Sequence, residues 1–437
     1  MLSRGGELAY CPGVFSCGAI LSVLLAVGSA NDSLRVLREM DLEAAPHFYY
    51  SRETKDRFGR LQKEIEAGRV ELDRSGEKAF LGSLLKALEI PASSQMLVFS
   101  TTSLQLSLIT PSNPRALYFN EDTYLGFIPG GKIEIVSIDP EIGGIFYILD
   151  IPKGNVARVD DGKLGRSLAP PSALVVERSR RCMNCHSGSE TGYVPGINIK
   201  SVVPGSRGGS LDAFRVDRTG HDIPLSDRFG GWYLTGEHGL TNHWANAIGR
   251  MVNGEITKDV ITPGERFSYG KYLVASSDIL PQLVHEHQAG FVNRVLQAGY
   301  VARTYAHGGG KLTREQETEL DRHARELVRY ILFADEAALP EGGIKGDRGF
   351  ISDFRRAGKA SASLREFDLE ESLFEFRCSY MIHSELFGAL PELVKARILG
   401  ELRARLTESD AEFGHLSGAE KRTIREILNE TLPGFRL

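Results

Sequence analysis

The chain has 437 residues, 25% of them charged, and a formal net charge of −5 at pH 7. That length can bury a sizeable core and suggests two or three domains. The ordinary charge balance, with no basic run, excludes nucleic acid as an expected partner, and no repeat of fixed period marks a solenoid.

Residues 19–27 form a short apolar core, followed by the small residues Gly28, Ser29 and Ala30. This predicts a cleaved signal peptide over residues 1–30 and a periplasmic or otherwise exported product. Arg4 is the one positive charge ahead of the core and Glu7 interrupts that region, so the true start could lie downstream of Met1. The apolar run falls short of the roughly 20 residues a spanning helix needs. An uncleaved anchor is the alternative. No other segment is apolar enough to cross a membrane, so the mature chain is expected to have no integral membrane segment.

Residues 31–95 read as an N-terminal helical segment, rich in long charged side chains. A β-rich domain is expected over 96–176. It holds β-branched and aromatic runs at 97–99, 117–119, 124–128, 133–136 and 145–149, separated by turn pairs such as Asn113-Pro114, Gly130-Gly131 and Gly143-Gly144. A Pro170-Pro171 pair then leads into a third region, 177–276, which from Thr191 to Gly249 is rich in Gly and polar residues and has one strand expected near 213–216. Beyond it, 277–437 reads as a helical C-terminal region. Asp278 caps a helix with apolar Leu280, Leu283, Val284, Phe291 and Val295, and capping boxes open two more at Thr313/Gln316 and Ser417/Glu420. Residues 342–363 are expected to form a long surface loop. The order predicts an α+β protein: an antiparallel sheet, then a loop region, then helices.

Cys182-Met183-Asn184-Cys185-His186 spells C-x-x-C-H, the attachment signature of c-type haem. Two thiols add across the porphyrin vinyl groups, and the adjacent imidazole serves as the proximal iron ligand. One covalent haem c is therefore expected on Cys182 and Cys185, with His186 on the iron. A second C-x-x-C-H is absent, which excludes a multihaem electron wire. Cys11 and Cys17 fall within the leader, and Cys378 lies in an apolar stretch where a buried small hydrophobe is expected. A zinc site would need a fourth-ligand set that includes a residue such as Cys378, and a thioredoxin-like dithiol would need a βαβ unit.

The sixth iron position decides between an electron carrier and an open, reactive haem. His238, between Gly236-Glu237 and Gly239, and His287, on the apolar stripe of the first C-terminal helix, are the candidate sixth ligands. His285, two positions away, should point about 200° from His287. Met251 is the methionine candidate, with a core role as its alternative, and His243 beside Trp244 is a further loop histidine. Arg178, Arg180 and Arg181 offer one partner for a haem propionate. Phe229, Trp232 and Tyr233 could pack on the porphyrin or simply in the core. His238, Glu237 and Glu286 are acid–base candidates if the protein is an enzyme.

Several segments carry a resemblance. They are residues 117–122, Asp139-Pro140 with 143–147, the C-x-x-C-H motif with Val194-Pro195-Gly196, and Gly230-Gly231-Trp232-Tyr233 with 236–239. Glu286-His287-Gln288 and residues 378–382 complete them. On these the chain resembles a family of exported bacterial cytochrome c-type proteins with a single CxxCH motif, described only as haem binders. The resemblance implies haem binding, adds weight to His238 and His287, and implies no established reaction. The expected function is an exported monohaem protein involved in electron transfer, with a redox partner protein or a small-molecule substrate. The alternative is a haem-dependent oxidoreductase or peroxidase-like enzyme with an open sixth site.

Overall fold

The computed structural model describes residues 34–152, 174–214, 219–357, 362–407 and 410–436. The predicted leader, the Pro170-Pro171 pair and Arg215-Val216 lie outside these residues. Among the described residues no helix is long and apolar enough to cross a membrane.

Three short helices come first: α1 (Arg35–Glu39), α2 (Arg57–Glu66) and α3 (Glu77–Ala87). The β-branched and aromatic runs then form β1 (Met96–Val98), β2 (Arg115–Phe119), β3 (Thr123–Phe127), β4 (Ile133–Asp139), β5 (Gly143–Leu149) and β6 (Val176–Arg178). All pair antiparallel, in the order β6-β5-β4-β3-β2-β1, and β9 (Trp232–Tyr233) closes the far edge beside β1. Turn chemistry sets the register. Between β2 and β3 the Asn120 carboxamide oxygen accepts from the Asp122 and Thr123 amides. Between β4 and β5 Gly143 has φ 86°, and a side chain there would meet the Pro195 carbonyl at 2.6 Å.

A single-turn helix, α4 (Met183–His186), follows β6. The Gly-rich region holds β7 (Val202–Pro204) paired with β8 (Ser210–Ala213), and a hairpin of β10 (Ala247–Val252) and β11 (Glu255–Val260). The C-terminal part is helical: α5 (Ile279–Gly308), α6 (Arg314–Ile331), α7 (Arg348–Ala357), α8 (Glu385–Gly388), α9 (Glu392–Thr407) and α10 (Gly418–Thr431). The α+β expectation holds.

The sheet separates two apolar cores. One face carries Tyr118, Leu125, Phe127, Ile135 and Ile145, and α2 and α3 pack on it through Phe58, Phe80 and Leu84. The other face contributes Phe119, Tyr124 and Ile138 to the larger core around α5. Along α5 nearly every position from Ile279 to Ala302 is buried, because sheet, loop region and helices surround it. His285, expected to turn away, is consequently buried too, with its ring 5.3 Å from Phe119 and 5.4 Å from Tyr124. The expected surface loop at 342–363 instead contains α7. Asp347 accepts from the Phe350 amide at its start, and Phe350 and Phe354, one turn apart, insert into the core.

Candidate functional site

The C-x-x-C-H sequence lies where the last strand of the sheet turns back over its open face. The Ser179 amide still bonds the Phe146 carbonyl at 2.8 Å, after which Cys182 caps the single turn of α4. The helical spacing puts Cys182 and Cys185 on one side of that turn. Both are free thiols, Cys182 half-buried and Cys185 exposed. Burial raises the Cys182 thiol pKa.

His186 ends the turn with its ring 4.7 Å from Phe146. Its Nδ1 lies 2.9 Å from the Gly196 carbonyl oxygen. A carbonyl only accepts, so Nδ1 carries the hydrogen and Nε2 keeps its lone pair. Burial pushes the imidazole pKa down, against the pull of that carbonyl, and holds the ring neutral. In return the Gly196 amide bonds the His186 carbonyl at 2.8 Å. The loop that supplies Gly196 is pinned by α5: Asn293 accepts from the Ile197 amide and donates to its carbonyl, each at 2.8 Å. A side chain at Gly196 would run into Asn293 Oδ1 at 2.2 Å, so this close approach requires glycine.

Cross-strand register gathers Arg115, Leu117, Gly126, Glu134, Val136 and Ile148 on the face that also presents Phe146. Except for Gly126 and Phe146 these side chains are only half-buried. Arg115 reaches Glu134 at 2.9 Å through Nη1, while its Nε is buried without a partner. Both residues act electrostatically on the His186 imidazole, as does Glu190.

These residues fit a covalently held haem. Two thiols share one side of a helical turn, and the imidazole beside them has a fixed tautomer and an Nε2 with no partner among the described residues. An orphaned guanidinium N–H on the adjoining sheet face suits a propionate. Among the described residues no three His, Cys, Asp or Glu side chains gather to hold a bare metal ion. Cys378 is buried in the α5 core, apart from the core that Cys182 packs against, and so does not complete a zinc set. A four-residue helix after an antiparallel strand also differs from the βαβ setting of a thioredoxin dithiol.

The other sequence candidates lie elsewhere. His238 accepts from the Leu240 amide at 3.2 Å and meets His243 edge-on at 5.1 Å. Its loop is tied to the start of α5, where the Thr235 amide bonds the Ser277 carbonyl. His186, through Gly196, is tied to Asn293, about 22 Å further along that helix at roughly 1.5 Å per residue. His287 is fully buried, with Nδ1 2.7 Å from His221 Nδ1 and Nε2 2.8 Å from Ser379 Oγ, so both its nitrogens are occupied. Met251 stands 59% exposed on the β10–β11 hairpin. The structure brings none of these three to His186.

Arg178 donates to the Tyr49 carbonyl at 2.6 Å, and the Arg180 guanidinium lies 4.3 Å from the Tyr50 ring centre. Both hold the N-terminal segment, and Arg115 is the arginine beside the imidazole. Sequence reasoning missed it because its place depends on strand register. Trp232 donates to the Lys200 carbonyl at 2.9 Å, and Phe229 and Tyr233 are buried in the two cores. Glu286 is buried and accepts from the Gly220 amide, whereas exposed Glu237 pairs with Lys345 at 2.6 Å. No family model matches the chain, and no curated protein or solved structure matches it either.

Proposed function

We propose that this chain is an exported protein carrying one haem c, bound through Cys182 and Cys185 and ligated by His186, and that it transfers electrons. The observation that carries this reading is the His186 Nδ1 hydrogen bond to Gly196, which leaves Nε2 free to meet iron. The resemblance in the C-x-x-C-H and neighbouring segments supports it. When bound, haem supplies reversible one-electron chemistry between ferrous and ferric iron.

The chain's own residues have separable duties. Gly196, held by Asn293, fixes the imidazole tautomer and the ring plane. Phe146 and Val136 supply apolar contact and limit water. Arg115, already paired with Glu134 through Nη1, keeps its Nε–H for a carboxylate. A redox partner protein or a small-molecule substrate completes the proposal, and the open side of the sheet face is where either would approach.

Expression with haem-maturation factors, followed by mass measurement and a pyridine haemochrome spectrum, tests the assignment. A covalent mass gain of one haem is expected. Colourless, unmodified protein overturns it.

A haem-dependent oxidoreductase or peroxidase-like enzyme is the second reading. It is favoured by one observation: His238, His287 and Met251 all lie away from His186. Carbon monoxide or cyanide should then shift the absorption spectrum, and indifference to both would return the protein to the pure electron carriers.

A further inference from the structure

Two buried histidines from distant parts of the sequence meet beside α5. His221 and His287 lie parallel with Nδ1 atoms 2.7 Å apart, next to the rings of Tyr330 and Phe333 at 4.0–5.4 Å. Two Nδ1 atoms so close require one N–H and one lone pair. The far end of the chain decides which is which. Ser379 Oγ is fully buried and accepts from the Met381 amide at 3.3 Å, and its other contact is His287 Nε2. If His287 donated there, the hydroxyl hydrogen would be buried without an acceptor, which is costly. Ser379 therefore donates to His287 Nε2, and His287 Nδ1–H donates to His221 Nδ1. His221 in turn carries its hydrogen on Nε2.

His221 lines a cleft of about 370 Å³ between α5, α6 and the turn that follows the C-x-x-C-H sequence. The carboxylates in its wall already meet cations. Glu190 pairs with Lys200 at 2.6 Å, Glu326 with Arg322 at 3.0 Å and Asp335 with Arg329 at 2.6 Å. Two donors in the wall are not fully used. Thr219 Oγ1 is buried without a partner, in a residue only 7% exposed. Arg294 lies 4.0 Å from the Tyr330 ring centre and gives Nη1 to the Thr219 and Gly290 carbonyls. Its Nη2 forms a loose ion pair with Asp222 Oδ1 at 3.7 Å, beyond hydrogen-bonding range.

The wall of one cleft thus carries a hydroxyl, a guanidinium edge and an imidazole N–H, a donor set suited to a planar anion. We infer that this cleft binds a small organic carboxylate through Arg294, Thr219 and His221, with His287 and Ser379 holding His221 as a donor. The inference is independent of the haem assignment.

Calorimetric titration of the protein as purified, whether or not it carries haem, with acetate and with succinate tests it. One saturable site is expected for at least one of the two. Arg294→Gln and Thr219→Val should each weaken binding about tenfold or more, and Arg294→Lys should restore part of the loss. Nitrogen NMR of the imidazoles in the unmutated protein should find His287 as the Nδ1–H tautomer and His221 as the Nε2–H tautomer. Saturation by inorganic phosphate alone, no saturable binding, affinity unchanged in both variants, or the reversed tautomers would each overturn the proposal. Thr219→Val is nearly isosteric, so the test survives a folding failure of Arg294→Gln.

Discussion

His186 and His287 are both buried or half-buried imidazoles held by hydrogen bonds, yet the structure treats their second nitrogens in opposite ways. His186 gives Nδ1 to a backbone carbonyl, and its Nε2 has no hydrogen-bond partner among the described residues. His287 spends Nδ1 on His221 and Nε2 on Ser379, inside the most enclosed part of the core. A histidine is available for chemistry when one nitrogen is fixed by the protein and the other is not. One satisfied at both ends instead fixes its neighbours in place.

The comparison breaks most decisively at the thiols. Cys182→Ala with Cys185→Ala should abolish covalent haem altogether, read as loss of haem-associated mass after denaturation, whereas His287→Ala should retain it. Attachment that survives the double substitution would leave the His186 site without its assigned role.

Acid should act mainly on the buried histidines. Burial lowers His287 and His323 to about 3 and His47 to about 4, from an ordinary 6.5. Their folded pKa values are depressed, so the unfolded chain takes up protons first as pH falls. The stability they contribute is whole above about pH 6.5 and declines toward pH 3, by at most about 1.4 kcal/mol per pH unit for each group. Chemical denaturation between pH 7 and 4 measures it. A flat profile would show these rings to be more solvated than their burial indicates.

Substituting the two former ligand candidates sharpens the contrast. His287→Ala strips partners from His221 and Ser379 and leaves a cavity, a loss of about 2–4 kcal/mol in denaturant unfolding. His238→Ala removes one long hydrogen bond in a half-exposed loop and should cost under about 1 kcal/mol. Neither should alter the haem spectrum.

The smallest effect is expected at Arg115. Arg115→Gln removes a positive charge near the proposed haem, which favours ferric iron. The midpoint potential should fall by on the order of 40 mV, the equivalent of about 1 kcal/mol. A spectroelectrochemical titration with no shift would place the propionates elsewhere.

Much of the local structure is legible in the sequence. The capping box at Thr313 and Gln316 forms as its residue types predict, Asp278 and Ser417 cap α5 and α10, and the five apolar runs became five strands. The failures share a cause. His285 was assigned an outward direction from a two-sided helix, but α5 is surrounded and has no outward side. The stretch around α7 reads as a loop because its two phenylalanines sit among Gly and charged residues, and only packing against the core reveals them as anchors.

The sequence by itself determined the local arrangement on which the proposed attachment rests, because C-x-x-C-H places two thiols and an imidazole within one helical turn through bonds and local geometry alone. Tertiary structure decided everything that depends on distance along the chain. It placed Gly196 beneath His186, Arg115 across the sheet, and His221 against His287, Ser379 and Arg294. Such meetings are set by strand register and by the faces of α5, and residues 66 or 92 positions apart, like His221, Ser379 and their common partner His287, carry no local signal of their contact.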